Sequence, residues 1–258
     1  MRVPVVQHRG RRRRALGRRA LWTGGEFLVT AGVVLLLLVV HELWWTNREA
    51  RQGAEHQVQA LERQWATPGA GGSDTPSANS GLAGGSSPRR GTSADGSTAV
   101  TGSATTPRRS QAYAILTIPR IHLRVPIAEG VSKQNVLNKG YVGHYPGTQQ
   151  PGQAGNFALA GHRNTHGEPF RYLPRLRLKD TVQVETSAAT YTYTVDKILP
   201  QTSASDSGVI RPIPRSIVRP AYGYSRPGYY ITLTTCTPEF TSRYRMAVWG
   251  TLTSTHLR

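Results

Sequence analysis

The fold is decided by the stretch YYITLTTCTPEFTSRYRMAVWG, residues 229–250. β-Branched and aromatic residues dominate both halves, which predicts strands near Tyr229–Cys236 and Met246–Leu252. A Thr-Pro pair follows Cys236, so the first strand should end there and lead into a hairpin. Such a hairpin would place Arg245, at the start of the second strand, beside the thiol of Cys236.

The same pattern extends outward from this hairpin to Tyr113. Short runs rich in β-branched residues alternate with turn residues, which is typical of an all-β barrel or sandwich. A short helix is expected over Val131–Asn138, and five prolines predict a long irregular connection over Pro200–Pro227. Further strands are predicted near Ala114–Ile118, Leu123–Ala128, Phe157–Ala160, Thr181–Thr186 and Thr190–Ile198.

The charge of the chain is strongly basic, because 32 Lys and Arg outnumber 14 Asp and Glu and give a net charge of +18. This balance raises nucleic-acid binding as a possibility. However, arginines crowd into the first twenty residues, and those after Tyr113 are dispersed with few aromatic partners. Basic residues that precede an apolar segment typically set its orientation in a membrane, so no nucleic-acid partner is expected.

An apolar segment at 21–45 predicts a single transmembrane helix anchored in membrane lipid. Its centre, Phe27–Val40, has no charged residue, and tryptophans lie at both ends, where indoles favour the interface. A cleaved signal peptide shares this pattern, but the bulky HELWWTN that follows does not resemble a cleavage site. The positive-inside tendency predicts a cytoplasmic tail at 1–20 and an extracellular C-terminal domain.

Two further segments separate the membrane from the folded domain. Residues 46–65 are predicted to form a short polar helix. Residues 66–112 are rich in Gly, Ser, Pro and Thr and poor in large apolar side chains, which predicts a disordered linker. The folded, catalytic domain is therefore expected at 113–258.

The only cysteine, Cys236, excludes an internal disulfide and a Cys-based metal site. Acidic residues after Tyr113 are scattered and form no calcium-loop pattern, so no metal and no cofactor are expected. A lone thiol is either a small buried side chain or a reactive group. Its place at a predicted strand end, followed by a loop, favours the reactive group.

A reactive cysteine needs a group that lowers its pKa or takes its proton. His162 lies where the strand NFALA runs into a loop, and His144 and His166, which lie in Gly-rich loops, are the rival bases. Arg245 can stabilise an oxyanion, with Arg243 as the alternative of the same strand parity.

Several motifs in register resemble class E sortases of high-GC Gram-positive bacteria. They are TLTTC at Thr232–Cys236, GHR at Gly161–Arg163, GHYPGT at Gly143–Thr148, and an Arg nine positions after the cysteine. The match runs from about Tyr113 to Thr253. The resemblance implies an eight-stranded β-barrel with short helices and a catalytic set of Cys236, His162 and Arg245. Supporting or substrate-binding roles are expected for Thr235, His144, Tyr145 and Arg163.

The resemblance also implies a reaction. The cysteine of a sortase attacks the Thr–Gly bond of a C-terminal sorting signal, here LAXTG-like or LPXTG-like, and forms a thioacyl-enzyme. A cell-wall amine, usually a peptidoglycan precursor, then receives the secreted protein.

Two other functions remain open at this stage. An L,D-transpeptidase is also a Cys-His cell-wall enzyme, but its Ser-x-Gly-Cys element differs from the residues around Cys236. A non-catalytic surface binding module on the sortase fold is the other alternative.

Overall fold

The computed structural model describes residues 9–66 and 107–258 of the chain. A single helix, α1 (Arg9–Ala66), precedes a closed β-barrel of eight strands. The predicted linker lies almost wholly outside the described residues, as does the start of the predicted cytoplasmic tail. The prediction of an all-β domain is confirmed, and between barrel and sandwich the structure decides for the barrel.

Around the barrel the strands follow the order β1-β2-β3-β4-β7-β8-β6-β5. Two neighbouring pairs, β2 with β3 and β4 with β7, are parallel, and all other pairs are antiparallel. Parallel strands bring their carboxyl ends to the same edge, so β4 and β7 deliver the residues after them to one place. The strands are β1 (Ala112–Ile118), β2 (Leu123–Glu129), β3 (Val142–His144), β4 (Gly155–Ala160), β5 (Thr181–Glu185), β6 (Ala189–Ser203), β7 (Tyr229–Thr237) and β8 (Tyr244–Leu257).

The wall formed by β4, β7 and β8 is packed on both faces. Ile231 and Leu233 of β7 point into the main core, where they join Phe157 and Leu159 of β4. On the outer face, the indole Nε1 of Trp249 donates a hydrogen bond of 3.1 Å to a carbonyl of the connection between β6 and β7. Burial on both faces explains the nearly unbroken β-branched run in β7 and makes this wall a rigid support for the residues at its end.

The structure corrects three local predictions. Strand β3 was not predicted, because its three residues, Val142–His144, include a glycine and carry no alternation. The helix expected over Val131–Asn138 is a set of turns that leads into a short 3₁₀ helix at Leu137–Lys139. Strand β6 runs five residues past Ile198 to Ser203, so the irregular connection starts later than the first proline suggests.

Helix α1 contains both the apolar and the polar segment that the sequence separates. From Gly24 onward it is long and apolar enough to cross a membrane, by length and composition. The apolar side chains of 27–40 are exposed and fit a single-pass membrane anchor. Towards the C-terminal end of α1 the apolar side chains are no longer exposed. Ala54, Val58 and Leu61 are buried against the barrel.

Candidate active site

Strand register brings His162 next to Cys236. Ala160 at the end of β4 pairs with Thr234 of the parallel strand β7, so the residues two positions further along each chain are neighbours. The hydroxyl of Thr235 donates a hydrogen bond of 2.8 Å to the carbonyl of Gly161 and ties the two strand ends together. The predicted meeting of Cys236 and His162 therefore follows from the backbone, and Thr235 supports it through its hydroxyl.

Arg245 is the direct cross-strand partner of Cys236 in the hairpin of β7 and β8. Its Nη1 donates hydrogen bonds to the carbonyls of Ser242 (2.8 Å) and Tyr244 (3.0 Å), which orient the guanidinium at the base of the hairpin loop. Its Nε and Nη2 have no hydrogen-bond partner among the described residues, and they remain available to an anionic ligand. The alternative, Arg243, lies over the ring of Tyr244 at 5.1 Å.

Cys236 is half-buried and faces a cleft of about 510 Å³. One side of the cleft comes from the loop after β4, another from the hairpin loop between β7 and β8, and a third from helix α1. The lining residues of the cleft are Asn47, Arg163, Asn164, Thr165, Glu168, Cys236, Phe240, Thr241 and Ser242.

Arg163 connects the loop of the histidine to the strand of the cysteine. Its Nη1 donates hydrogen bonds to the carbonyl of Cys236 (3.2 Å) and to the hydroxyl of Thr237 (3.0 Å). Nε of Arg163 and Oδ1 of Asn164 are buried in the cleft wall and have no hydrogen-bond partner within residues 9–66 and 107–258. Buried polar atoms of this kind favour a ligand that satisfies them, as a peptide backbone would.

Only one of the two ring nitrogens of His162 has a hydrogen-bond partner among the described residues. Its Nε2 is hydrogen-bonded to Oδ1 of Asn138 at 2.9 Å, and its ring stacks on His166 with 5.4 Å between centroids. Burial, together with the charges of His166 and Lys133, lowers the pKa of His162 to about 4. The ring is therefore neutral at pH 7. Because the amide oxygen of Asn138 accepts the Nε2 proton, Nδ1 is the basic nitrogen.

No hydrogen bond joins His162 to Cys236 in the residues 107–258 that form the barrel. The two residues thus lie at adjacent strand ends without the direct contact that proton transfer between them would need. Loose catalytic contacts are common before a substrate is bound. The rival base His166 has a pKa that burial also lowers, and its Nδ1 is buried without a partner.

His144 and Tyr145 do not line the cleft. His144 is 1% exposed at the end of β3, where its Nδ1 lies 2.7 Å from a carboxylate oxygen of Glu129 and its Nε2 lies 3.0 Å from the carbonyl of Gln149. Both ring nitrogens have protein partners, which fits the supporting alternative of the prediction for His144, and its substrate-binding alternative stays a prediction. The hydroxyl of Tyr145 is hydrogen-bonded to Thr234, 3.1 Å away, and supports β7 next to the site.

Sequence reasoning missed four residues of this site. Asn138 comes from a loop whose approach to His162 depends on the parallel pairing of β2 with β3, and no local signal reveals it. Asn47 faces the cleft because α1 packs on the barrel, and Glu168, from the loop after β4, is hydrogen-bonded to Asn47 and Arg51 of that helix. Phe240, an exposed aromatic residue four positions after the cysteine, had a local signal that could have been used.

Comparison with known proteins agrees with this geometry. The family model for the sortase domain matches residues 116–253, more than half of the chain. The chain belongs to the sortase family. Members of this family are cysteine transpeptidases, and the expected eight-stranded barrel and class E resemblance are confirmed.

Two relatives of this sortase come from Streptomyces coelicolor. It is 42% identical over 231 residues to sortase SrtE1 of Streptomyces coelicolor, an alignment that covers 88% of this chain and 55% of the relative. It is 34% identical to sortase SrtE2 of the same organism, with 95% of this chain and 88% of the relative covered. The chain thus spans little more than half of SrtE1 and most of SrtE2.

Solved structures of similar proteins match the barrel of this sortase. A crystal structure of sortase E1 from Streptomyces coelicolor with a tripeptide in the active site is 49% identical, with a TM-score of 0.55, and covers 59% of this chain and 94% of its own. Sortase E from Streptomyces avermitilis is 38% identical, with a TM-score of 0.52, and covers 58% and 93%.

Proposed function

We propose that this chain is a membrane-anchored cysteine transpeptidase that cleaves a C-terminal sorting signal between Thr and Gly and transfers the protein to a cell-wall amine. The observation that carries the proposal is the strand register, which pairs Cys236 with Arg245 and puts His162 after the neighbouring strand end, with Cys236 facing the cleft. The LAXTG-like or LPXTG-like signal and the peptidoglycan acceptor come from the family resemblance.

The residues of the site account for the first half of the reaction. His162 takes the thiol proton at Nδ1, and the sulfur of Cys236 attacks the Thr carbonyl of the substrate. The free nitrogens of Arg245 lie on the neighbouring strand and stabilise the oxyanion that forms. The imidazolium of His162 then protonates the nitrogen of the departing glycine, and a thioester remains on Cys236.

The second half reverses the roles of the same groups. An acceptor amine enters the cleft, loses its proton to His162 and attacks the thioester carbonyl. The new amide leaves, and the proton returns to the sulfur of Cys236. Bonds and protons balance without a metal or a redox partner, so the proposed reaction uses only side chains of the chain itself.

The apolar part of α1 supports a single-pass anchor with the N-terminus in the cytoplasm. Arginines precede the apolar segment, and the positive-inside tendency then sends the barrel across the membrane. The substrates and the acceptor amine would be met on the outer side. Protease protection of intact cells tests this orientation, because an extracellular barrel is digested and a cytoplasmic one is not.

The test of the activity uses the full chain in detergent micelles or liposomes. A fluorescent LAXTG peptide and an amine acceptor are the substrates, and a thioester on Cys236 is detected by mass spectrometry before and after hydroxylamine treatment. Cys236→Ala should lose all turnover, by a factor of at least about 10³. Ser254→Ala is the matched control, because it also removes one polar atom from a half-buried side chain but lies far along β8.

The outcomes separate the alternatives. Loss of both thioester and product in Cys236→Ala, with full activity in Ser254→Ala, supports the transpeptidase. Peptide binding without a thioester in the wild type would indicate a non-catalytic binding module. Turnover that survives in Cys236→Ala would refute the proposed mechanism.

A further inference from the structure

The C-terminal half of α1 is packed on the barrel and does not stand away from it. Ala50, Ala54, Val58 and Leu61 are spaced by four, four and three residues, so they form one face of the helix, and all four are buried. Val58 and Leu61 pack against Ile115 of β1. A helix that leaves the membrane as a free stalk would have no reason to carry such a face.

The first residues of this packed segment, Ala50 and Arg51, lie close to two glycines in loops of the barrel. Gly140 has a φ of +78°, and a Cβ there would lie 2.7 Å from the carbonyl oxygen of Ala50. Gly167 has a φ of +82°, and a Cβ there would lie 3.4 Å from the backbone nitrogen of Arg51. A side chain at Gly140 would clash with the helix, whereas at Gly167 a Cβ would make ordinary contact and the positive φ is what favours glycine.

These two glycines lie next to the residues that hold the catalytic histidine. Asn138, two residues before Gly140, is the hydrogen-bond partner of His162. His166, the residue before Gly167, is stacked on the same ring. The helix therefore contacts both loops whose side chains fix the imidazole, from the side opposite to the barrel core.

Glu168 binds the helix to the second of these loops. Its carboxylate, 4% exposed, accepts hydrogen bonds from Nδ2 of Asn47 (3.1 Å), Nη2 of Arg51 (2.9 Å) and Nη1 of Arg171 (2.8 Å). Asn47 also accepts a bond from the amide of Gly167, and Arg51 donates one to its carbonyl. Two of the three partners of this buried carboxylate thus come from α1, and a buried charge that loses its partners is costly.

The same contacts shape the cleft. Asn47 and Glu168 line the cleft that contains Cys236, so α1 supplies part of one wall. Asn47 is only two residues beyond Trp45, the end of the predicted transmembrane segment. The membrane-proximal turn of the helix and the nucleophile therefore share one cavity.

We propose that residues 47–54 of α1 are a positioning element of the active site. Asn47 and Arg51, docked on Gly140, Gly167 and Glu168, hold the loops of Asn138 and His166 against His162. This inference rests on the proposed function, because the ring it positions is the proposed base. The anchor helix is thus part of the catalytic apparatus as well as a tether.

The test separates helix docking from folding of the barrel. In the full chain in liposomes, Ala54→Asp puts a charge into the packed face, and Gln59→Asp puts the same charge on an exposed position of the same helix. We expect kcat to fall about ten- to hundredfold in Ala54→Asp, since small displacements of catalytic groups have effects of this size. Gln59→Asp should match the wild type. The melting temperature of the barrel should change little in both variants.

A second pair of variants tests the polar contacts. Arg51→Ala should lower kcat and leave KM for the acceptor amine unchanged, whereas Arg51→Lys, which keeps a cation beside Glu168, should recover most of the loss. Hydrogen exchange should increase in Arg51→Ala at 137–140 and 162–168, the loops that face the helix. A fall in kcat at an unchanged melting temperature in Arg51→Ala is not expected if the arginine serves only to stabilise the fold.

Two outcomes would overturn the proposal. One is wild-type kcat and unchanged exchange of both loops in Ala54→Asp. The other is a loss of kcat that follows the melting temperature in every variant. Hydrogen exchange and the rate of alkylation of Cys236 by iodoacetamide require no substrate. They therefore report on helix docking even if no peptide is turned over, and a failure of the proposed function is distinguished from a failure of this inference.

Discussion

Two histidines follow neighbouring strands of the barrel and have opposite environments. His144 ends β3, and its two ring nitrogens are hydrogen-bonded to Glu129, Tyr113, Thr148 and Gln149. His162 follows β4, and its ring has one hydrogen-bond partner and one stacked neighbour. The two rings have the same chemistry, and the number of partners decides which one can react.

The difference shows that the hydrogen-bond partners supplied by the fold distinguish two chemically identical side chains. A ring whose nitrogens are both hydrogen-bonded to buried protein groups is held in place and contributes to stability. A ring with one free nitrogen, kept neutral by its surroundings, has the properties of a general base. The following variants test whether this division holds.

The largest effect is expected for His162→Ala. We expect kcat/KM to fall by about 10²- to 10⁴-fold, because the proton of Cys236 loses its acceptor. The free energy of unfolding should change by less than about 1 kcal/mol, since one hydrogen bond to Asn138 is lost. Peptide kinetics and urea unfolding measure the two quantities. His166→Ala is the control, and a larger loss of activity there would reassign the base.

His144→Ala should show the reverse pattern. Removal of the ring leaves the carboxylate of Glu129 and the carbonyl of Gln149 without their partner, and we expect a loss of about 2–4 kcal/mol in the free energy of unfolding. The folded fraction should keep its kcat. Thermal and urea unfolding measure the change, with the exposed His256→Ala as the control. A selective loss of kcat at unchanged stability would place His144 in the catalytic site.

The next largest effect is expected in the pH dependence of the free energy of unfolding, to which His162 contributes. Its pKa is lowered from 6.5 in the unfolded chain to about 4 in the fold, so the unfolded state binds the proton more readily between these values. Stability contributed by the neutral ring is present above about pH 6.5 and is lost as the pH falls towards 4. The loss should be on the order of 2–3 kcal/mol.

Urea unfolding at several pH values, with His162→Gln beside the wild type, measures this contribution. The variant should lose less stability on acidification. The lowered pKa of His166 acts in the same direction and leaves a smaller slope in the variant. Parallel curves for both proteins would mean that His162 is not held neutral.

The smallest effect is expected for Tyr113→Phe. The change removes one of the hydrogen bonds to His144, from a hydroxyl 3.0 Å from Nδ1, and leaves the bond to Glu129 in place. We expect a loss of about 0.5–1.5 kcal/mol in unfolding free energy and no change in kcat. Tyr229→Phe, at an exposed position, is the control. Equal stability of the two variants would show that Glu129 alone suffices for His144.

Much of the barrel could be predicted from the sequence, because most strands show local composition and turn signals. The strands that contain Cys236 and Arg245 were predicted from β-branched runs that end at Thr-Pro. β3 could not be predicted in this way, since its three residues become a strand only by pairing with β2 and β4. The hydrogen-bond partners of His144 could not be predicted for the same reason, because they come from other strands and loops.

The sequence by itself determined the chemistry that is available: one thiol, a histidine after a strand, an arginine nine positions after the thiol, and an apolar segment near the N-terminus. Each is a local property of composition and spacing. Only the tertiary structure decided which histidine is free to react, and it placed Asn138 on His162 and α1 against the loops of the site. Partners distant in sequence meet through strand pairing and helix packing, which depend on the whole fold and leave no local signature.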